Sequence, residues 1–198
     1  MKVFYYDVET CGLNPRQHSI HQLSAIIEVD GVVVETLDYK IAPHPKSKIE
    51  PEALAVCHVT EEQIRAYPDA AVQFHRLKAV LSKYIDVFDK TDKFYRCGFN
   101  NAAFDNEFLR VFFDLNGDNS HFSVFHPESL DVMVLAAHYL APLRASMPSF
   151  KLHRVAKTLG IPVDKERLHD AIYDVELTRE IYKELDFPQL WYPLNELD

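Results

Sequence analysis

The sequence predicts an α/β domain: a mixed β-sheet flanked by α-helices. Three observations carry this. Strand-like runs crowd the first third of the chain, and helical and strand-like segments alternate after it. The length of 198 residues suits one compact domain with a single apolar core. Hydrophobic residues at 47% and charged residues at 26% are close to the average for a globular protein.

Residues 3–8 (Val-Phe-Tyr-Tyr-Asp-Val) are β-branched and aromatic and read as a buried strand ending at Glu9, before Thr10-Cys11-Gly12 and Asn14-Pro15 mark a turn. Residues 20–29 and 32–41 are two further strand-like runs joined by Asp30-Gly31, a hairpin signal, so the first third is an antiparallel meander. Pro43-His44-Pro45 breaks the third run, and the polar stretch to Pro51 reads as a loop. Thr60-Glu-Glu-Gln has the form of a helix start, and 72–87 carries apolar residues at helical spacing. A strand is expected over 94–99 and a helix over 102–113, ended by Asn116-Gly117. Another helix is expected over 130–140, started by Ser129 or Asp131. Ser149 is placed to cap a short helix that stops at Gly160, and the last helix runs over 170–185. The chain therefore divides into a domain over 1–185 and a tail over 186–198 punctuated by Pro188 and Pro193.

A formal charge of −9 argues against a protein that holds nucleic acid by coating phosphates with lysine and arginine, but not against an enzyme that meets phosphate through metal ions. Cys11, Cys57 and Cys97 form no CxxC pair, so neither a disulfide framework nor a thiolate zinc site is expected. His18-x2-His21 has ligand spacing, but nothing completes a zinc site, and a structural role is expected. Tyr5, Tyr6, Tyr95 and Phe99 have the look of a stacking platform, but their placement on strands makes most of them core residues. With no signal peptide before the first strand and no apolar run approaching the ~18 residues of a membrane helix, the expected setting is the cytoplasm.

The chemistry lies in three places. Asp7 and Glu9, two apart on a strand, project from one face, and beside apolar Phe4 and Val8 their unpaired charges would be costly. A divalent cation such as Mg²⁺ or Mn²⁺ removes that cost and suits phosphoryl chemistry. Asp105 follows the paired Asn100-Asn101, one turn into the helix expected over 102–113, where it can point back over the strand end. His169 and Asp174 are five apart, about 140° on an ideal helix. With Asp170 as N-cap, His169 stays in the preceding loop and Asp174 enters the first turns. A loop histidine suits proton transfer near neutral pH.

Asp7-Val-Glu9-Thr-Cys-Gly-Leu13, Asn100-Asn-Ala-Ala-Phe-Asp105 and His169-x4-Asp174 resemble, in order, the three exonuclease motifs of the DEDDh (DnaQ-like) superfamily. The resemblance extends from residue 3 to about 185, through Ile49-Glu-Pro-Glu-Ala-Leu, Val59-Thr-Glu-Glu-Gln-Ile and Phe150-Lys-Leu-His-Arg-Val-Ala. It implies a ribonuclease H-like mixed sheet and hydrolysis from nucleic-acid 3′ ends with release of nucleoside 5′-monophosphates. Asp7, Glu9, Asp105 and Asp174 then organise two divalent ions, Mg²⁺ or Mn²⁺, and His169 is the general base. Cys11 and Asn100 stand where many relatives have threonine and histidine, and Cys57-His-Val-Thr60 stands where His-Gly-Ile-Thr is frequent. None of these is among the five acid/base residues.

Leu13 resembles the apolar residue that packs on the terminal base, its other reading being a core leucine. Thr10, Asn101 and Phe108, in or beside the same motifs, are further expected substrate contacts. Residues 144–167 hold Arg144, Lys151, Arg154, Lys157, Lys165 and Arg167 against Asp164 and Glu166, so Lys151 and Arg154 are expected to grip the strand, a solvated helix face being the alternative. DNA is the expected substrate, an exoribonuclease the rival, and a non-catalytic nucleic-acid-binding or polymerase-associated module the reading from another class. A single-stranded 3′ end, with a polymerase or repair assembly, is the expected partner set.

Overall fold

A computed structural model describes residues 1–168 and 170–185. The N-terminal run forms β1 (Lys2–Thr10) at the centre of a five-stranded sheet. On one side of it β2 (Ile20–Val29) and β3 (Val32–Lys40) complete the predicted antiparallel meander. Their turn is Asp30-Gly31, with φ of 49° and 84°, the two positive values that match a two-residue turn to strand twist. On the other side β4 (Phe94–Gly98) pairs parallel to β1, and β5 (Phe125–Asp131) pairs parallel to β4. The order is β3-β2-β1-β4-β5, a mixed sheet as expected.

Strand alternation divides the core. Phe4, Tyr6 and Val8 face α3 (Ala70–Leu81) and α4 (Asp105–Leu115), packing with Phe74, Leu77, Phe108 and Phe113. Val3 and Tyr5 face α6 (Val132–Tyr139), α7 (Leu152–Thr158) and α8 (Ala171–Glu184), packing with Ala136, Val155, Leu177 and Ile181. Tyr5 and Tyr6 are thus core residues, and Tyr95 stacks on His126. Arg179 of α8 donates from Nε to the buried Glu28 at 2.7 Å and Lys183 adds a second contact at 3.2 Å, which ties α8 across the sheet to β2.

Several boundaries differ from expectation. Pro51 opens a short helix, α1 (Pro51–Val56), instead of closing a loop; proline at a helix's first position loses no hydrogen bond. α2 (Glu61–Arg65) starts at Thr60 with a reciprocal Thr60–Gln63 capping box, as its sequence predicts. α3 begins at Ala70, capped by Asp69, and stops at Leu81, well short of Val87. α5 (His121–Val124) and β5 were not anticipated: β5 is an edge strand with Pro127 and exposed Glu128, so it lacks the alternation that marks a strand. Asp131, not Ser129, caps α6. A 3₁₀ segment (Ala141–Ser146) then precedes α7, whose N-cap is Lys151 without a side-chain capping bond, so Ser149 does not play that part. Gly160, at φ 80°, follows its end. Asp170 is the N-cap of α8 as predicted, again without a side-chain bond. His169 and the tail over 186–198 lie outside the described residues.

Candidate active site

Because β1 and β4 run parallel, their C-terminal ends share one edge of the sheet, and α4 begins a few residues beyond β4. Asp7 and Glu9 lie at that edge on the β1 face that carries Val3 and Tyr5, the face covered by α8. Asp174 sits in the first turn of α8 and Asp105 is the first residue of α4. The latter differs from the expected helix over 102–113: residues 100–104 form a turn, with Asn100 at φ 67°, and deliver Asp105 directly at the helix start. Its Oδ1 accepts the backbone N–H of Val8 at 3.1 Å, joining the second motif to the first.

Asp7 feels the other three carboxylates. Burial pushes the Asp7 carboxyl well above the usual range, and the charges of Asp105, Glu9 and Asp174 push it further the same way. Asp105 is pushed up to about 7, by burial first; the Val8 and Asp105 amides pull against this, while the charges of Glu9 and Asp131 add to it. Among the described residues no three His, Cys, Asp or Glu side chains stand as a ready coordination shell. The site is therefore a convergence of acids, with the charges of Asp105, Glu9 and Asp174 all acting on the buried Asp7. That donor chemistry fits a hard divalent cation, which commonly takes one or two carboxylates and completes its shell with water and substrate phosphate. Glu9 has one neighbour that the motifs did not point to. Cys57, at the end of α1, donates from Sγ to Glu9 Oε2 at 2.9 Å, and its thiol is pushed well up by burial and then by the Glu9 charge. Only the departure at Cys57-His-Val-Thr60 marked that position.

The expected substrate contacts separate into two groups. Leu13 is 76% exposed on the turn after β1, so it is not a core leucine. Lys151 and Arg154 are exposed and, among the described residues, make no ion pair. Three others are buried, contrary to a surface role. Thr10 spends its hydroxyl on the Gly12 carbonyl at 2.7 Å. Phe108 belongs to the core, its ring 4.8 Å from that of Phe104, and it walls a cavity of about 320 Å³ together with Ile20, Ile41 and Phe112. Asn101 is fully buried, packed over Gly98 so closely that a Cβ there would meet its own Cβ at 2.7 Å. Of the basic stretch, Arg167 pairs with Glu176 and lies over the Tyr173 ring, and Arg144 lies over Phe150. His18 is structural: its ring packs on Gly12, its Nδ1 accepts the Asn14 N–H and its Nε2 is 3.2 Å from Glu50. It thereby braces the turn that carries Leu13.

Residues 4–182 match the family model described as exonuclease and named for ribonuclease T. Ribonuclease T of Shewanella frigidimarina (strain NCIMB 400) is 29% identical over 183 residues, spanning 89% of this chain and 78% of that protein. The PolC-type DNA polymerase III of Mycoplasmopsis pulmonis (strain UAB CTIP) is 29% identical over 177 residues, 89% of this chain and 11% of that protein. Among solved structures, E. coli exonuclease I in complex with a dT13 oligonucleotide superposes with a TM-score of 0.73 at 23% identity, covering 92% of this chain and 40% of that one, a likeness of fold. A zinc-bound form of the same nuclease with single-stranded DNA also matches.

The mixed sheet and the ordered acidic motifs define the class: DEDDh, DnaQ-like 3′–5′ exonucleases of the ribonuclease H-like superfamily, which depend on divalent metal. This chain belongs to the ribonuclease T exonuclease family. Among its described residues no helix is long and apolar enough to cross a membrane.

Proposed function

We propose that the protein removes nucleotides one at a time from single-stranded 3′ ends, releasing nucleoside 5′-monophosphates, with DNA as the favoured substrate. The observation that carries this reading is the convergence of Asp7, Glu9, Asp105 and Asp174 at one sheet edge, with every influence on Asp7 raising its pKa. Such an arrangement is costly unless a cation completes it. Asp7, Glu9, Asp105 and Asp174 would hold two ions, Mg²⁺ or Mn²⁺. Bound there, these supply Lewis-acid stabilisation of the phosphoryl oxygens and a more acidic water.

The chain's own groups do the rest. His169, one residue before the N-cap of α8, takes the proton of the attacking water. The water oxygen forms the new bond to phosphorus and the 3′-oxygen of the penultimate nucleotide leaves. Leu13, exposed and braced from behind by His18 on Gly12, packs on the terminal base. Lys151 and Arg154, free of ion pairs among the described residues, meet the phosphates upstream. The cytoplasm, with a polymerase or repair assembly as partner, is the setting this reading implies.

A second reading has an observation of its own. A relative of which this chain covers 78% carries the name ribonuclease T, and that name supports RNA as the substrate in this second reading. Matched 5′-labelled single-stranded DNA and RNA of one sequence, digested in parallel, decide between them. A higher kcat/KM on DNA supports the first reading, a higher value on RNA the second, and no shortening from the 3′ end of either removes both.

A further inference from the structure

The carboxylate of Asp131, at the junction of β5 and α6, receives four backbone N–H groups from two different segments. Oδ1 accepts from Met133 at 3.0 Å and Val134 at 3.4 Å, which is ordinary capping of α6. The same oxygen accepts from Asn100 at 3.0 Å, and Oδ2 accepts from Ala102 at 3.1 Å. Helix capping requires none of the last two bonds. They bind the turn between β4 and α4, 31 and 29 residues earlier in the chain, the turn that delivers Asp105.

That turn has reason to need an external hold. Asn100 sits in the left-handed region at φ 67°, a conformation that residues other than glycine adopt less readily. Its internal bonds, Ala103 N–H to the Asn100 carbonyl and Phe104 N–H to the Asn101 carbonyl, are both 3.3 Å long, while Asn106 N–H reaches the same Asn101 carbonyl from α4 at 3.0 Å. Asp131 is buried and, among the described residues, has no ion-pair partner, so its charge is met by these amide dipoles alone.

We propose that Asp131 is a positioning residue for Asp105: its carboxylate clamps the Asn100–Ala102 turn in the conformation that sets Asp105 against the Val8 N–H at the acidic site. The inference rests on the exonuclease reading for its consequence in catalysis but not for the clamp itself. It assigns Asp131 no contact with substrate or ion.

The test separates clamp from cap. Asp131→Ser keeps a hydroxyl able to cap α6 but cannot span to the turn. Asp131→Asn keeps the shape but sets an amide donor against the Ala102 or the Asn100 N–H. Val132→Ala, in the same helix, is the control for general destabilisation. Well below the melting temperature, both Asp131 variants should raise the Mn²⁺ concentration for half-saturation, read by calorimetry, by about tenfold or more. Their kcat should fall at least tenfold with oligonucleotide KM nearly unchanged, and Val132→Ala should move neither. Adding Asn100→Gly, which relieves the backbone, should recover part of the loss in the Asp131→Asn background. In the wild type the amide hydrogens of Asn100 and Ala102 should exchange as slowly as those of β4. Exchange at loop rates, or Mn²⁺ binding within twofold of wild type in either Asp131 variant, overturns the proposal. Slow exchange and altered Mn²⁺ binding in a protein that releases no nucleotide would instead keep the clamp and sink the exonuclease reading.

Discussion

The backbone N–H of Val8 donates to the carboxylate of Asp105 at 3.1 Å, linking the C-terminal part of the central strand to the first residue of a helix 97 positions later. Asp105 is thus fixed beside Asp7 and Glu9 at a cost in charge repulsion. Asp105→Asn should keep the fold and the Val8 bond while losing activity by roughly 100-fold or more, in line with removal of one group from a concerted metal-dependent site. In chelator the same variant should melt a few degrees above wild type, because one buried negative charge is gone. Paired melting curves and rate measurements check both.

The metal-free protein should show a stability profile with two opposing limbs. Asp105 is raised to about 7 from an ordinary value of 3.8, so its contribution is fully present at pH 3.8 and below and is lost as pH rises through 7. His21 and His121 behave oppositely. Both are buried, neither has a hydrogen-bond partner on a ring nitrogen among the described residues, and burial first, then nearby cations, lowers each to about 4. Their contribution is present above pH 6.5 and is lost as pH falls through 4, up to roughly 3 kcal/mol each. In EDTA, Tm should rise as pH drops through 7, and below 6.5 the loss of the two histidine contributions should oppose that rise. His121 lies among Phe113, Phe122 and Phe125, so His121→Phe should flatten the acid limb.

Cys57 should be the thiol that labels in the native protein, because Cys11 and Cys97 are fully buried. Its raised pKa makes labelling slow at neutral pH. Cys57→Ser retains a donor to Glu9 and should keep activity within about twofold, whereas Cys57→Ala should cost several-fold, consistent with loss of one hydrogen bond to a charged group. Mass spectrometry after maleimide treatment and steady-state rates provide the readout.

Lys151→Ala with Arg154→Ala should weaken binding of a single-stranded oligonucleotide and reduce the slope of log K against log salt by about 0.7 for each phosphate contact removed. An unchanged slope assigns both side chains to a solvated helix face.

What the sequence made legible follows from how local each signal is. The hairpin at Asp30-Gly31, the capping box at Thr60 and the stop at Gly160 are set by a few neighbouring residues, and all three appear as read. Asp7, Glu9, Asp105 and Asp174 stand out in the sequence by spacing, order and resemblance, and in the structure the other three act electrostatically on Asp7. β5 was hidden because pairing with β4, not any alternation of its own, makes it a strand. Thr10, Asn101 and Phe108 share motifs with the acids, and adjacency suggested substrate contact; their packing under the turn and in the core is a tertiary fact. Asp131 was legible as a helix cap, while its hold on Asn100 and Ala102 exists only once β5 lies beside β4.

Metal-dependent nucleotide release from a 3′-labelled single strand, compared between wild type and Asp7→Ala, tests the role of the acidic site most directly. Wild type should release labelled nucleoside 5′-monophosphate with Mn²⁺ or Mg²⁺ and none in EDTA, and folded Asp7→Ala should release at least about 100-fold less. Equal release by Asp7→Ala, or a wild type inactive with either ion on both DNA and RNA, would contradict it.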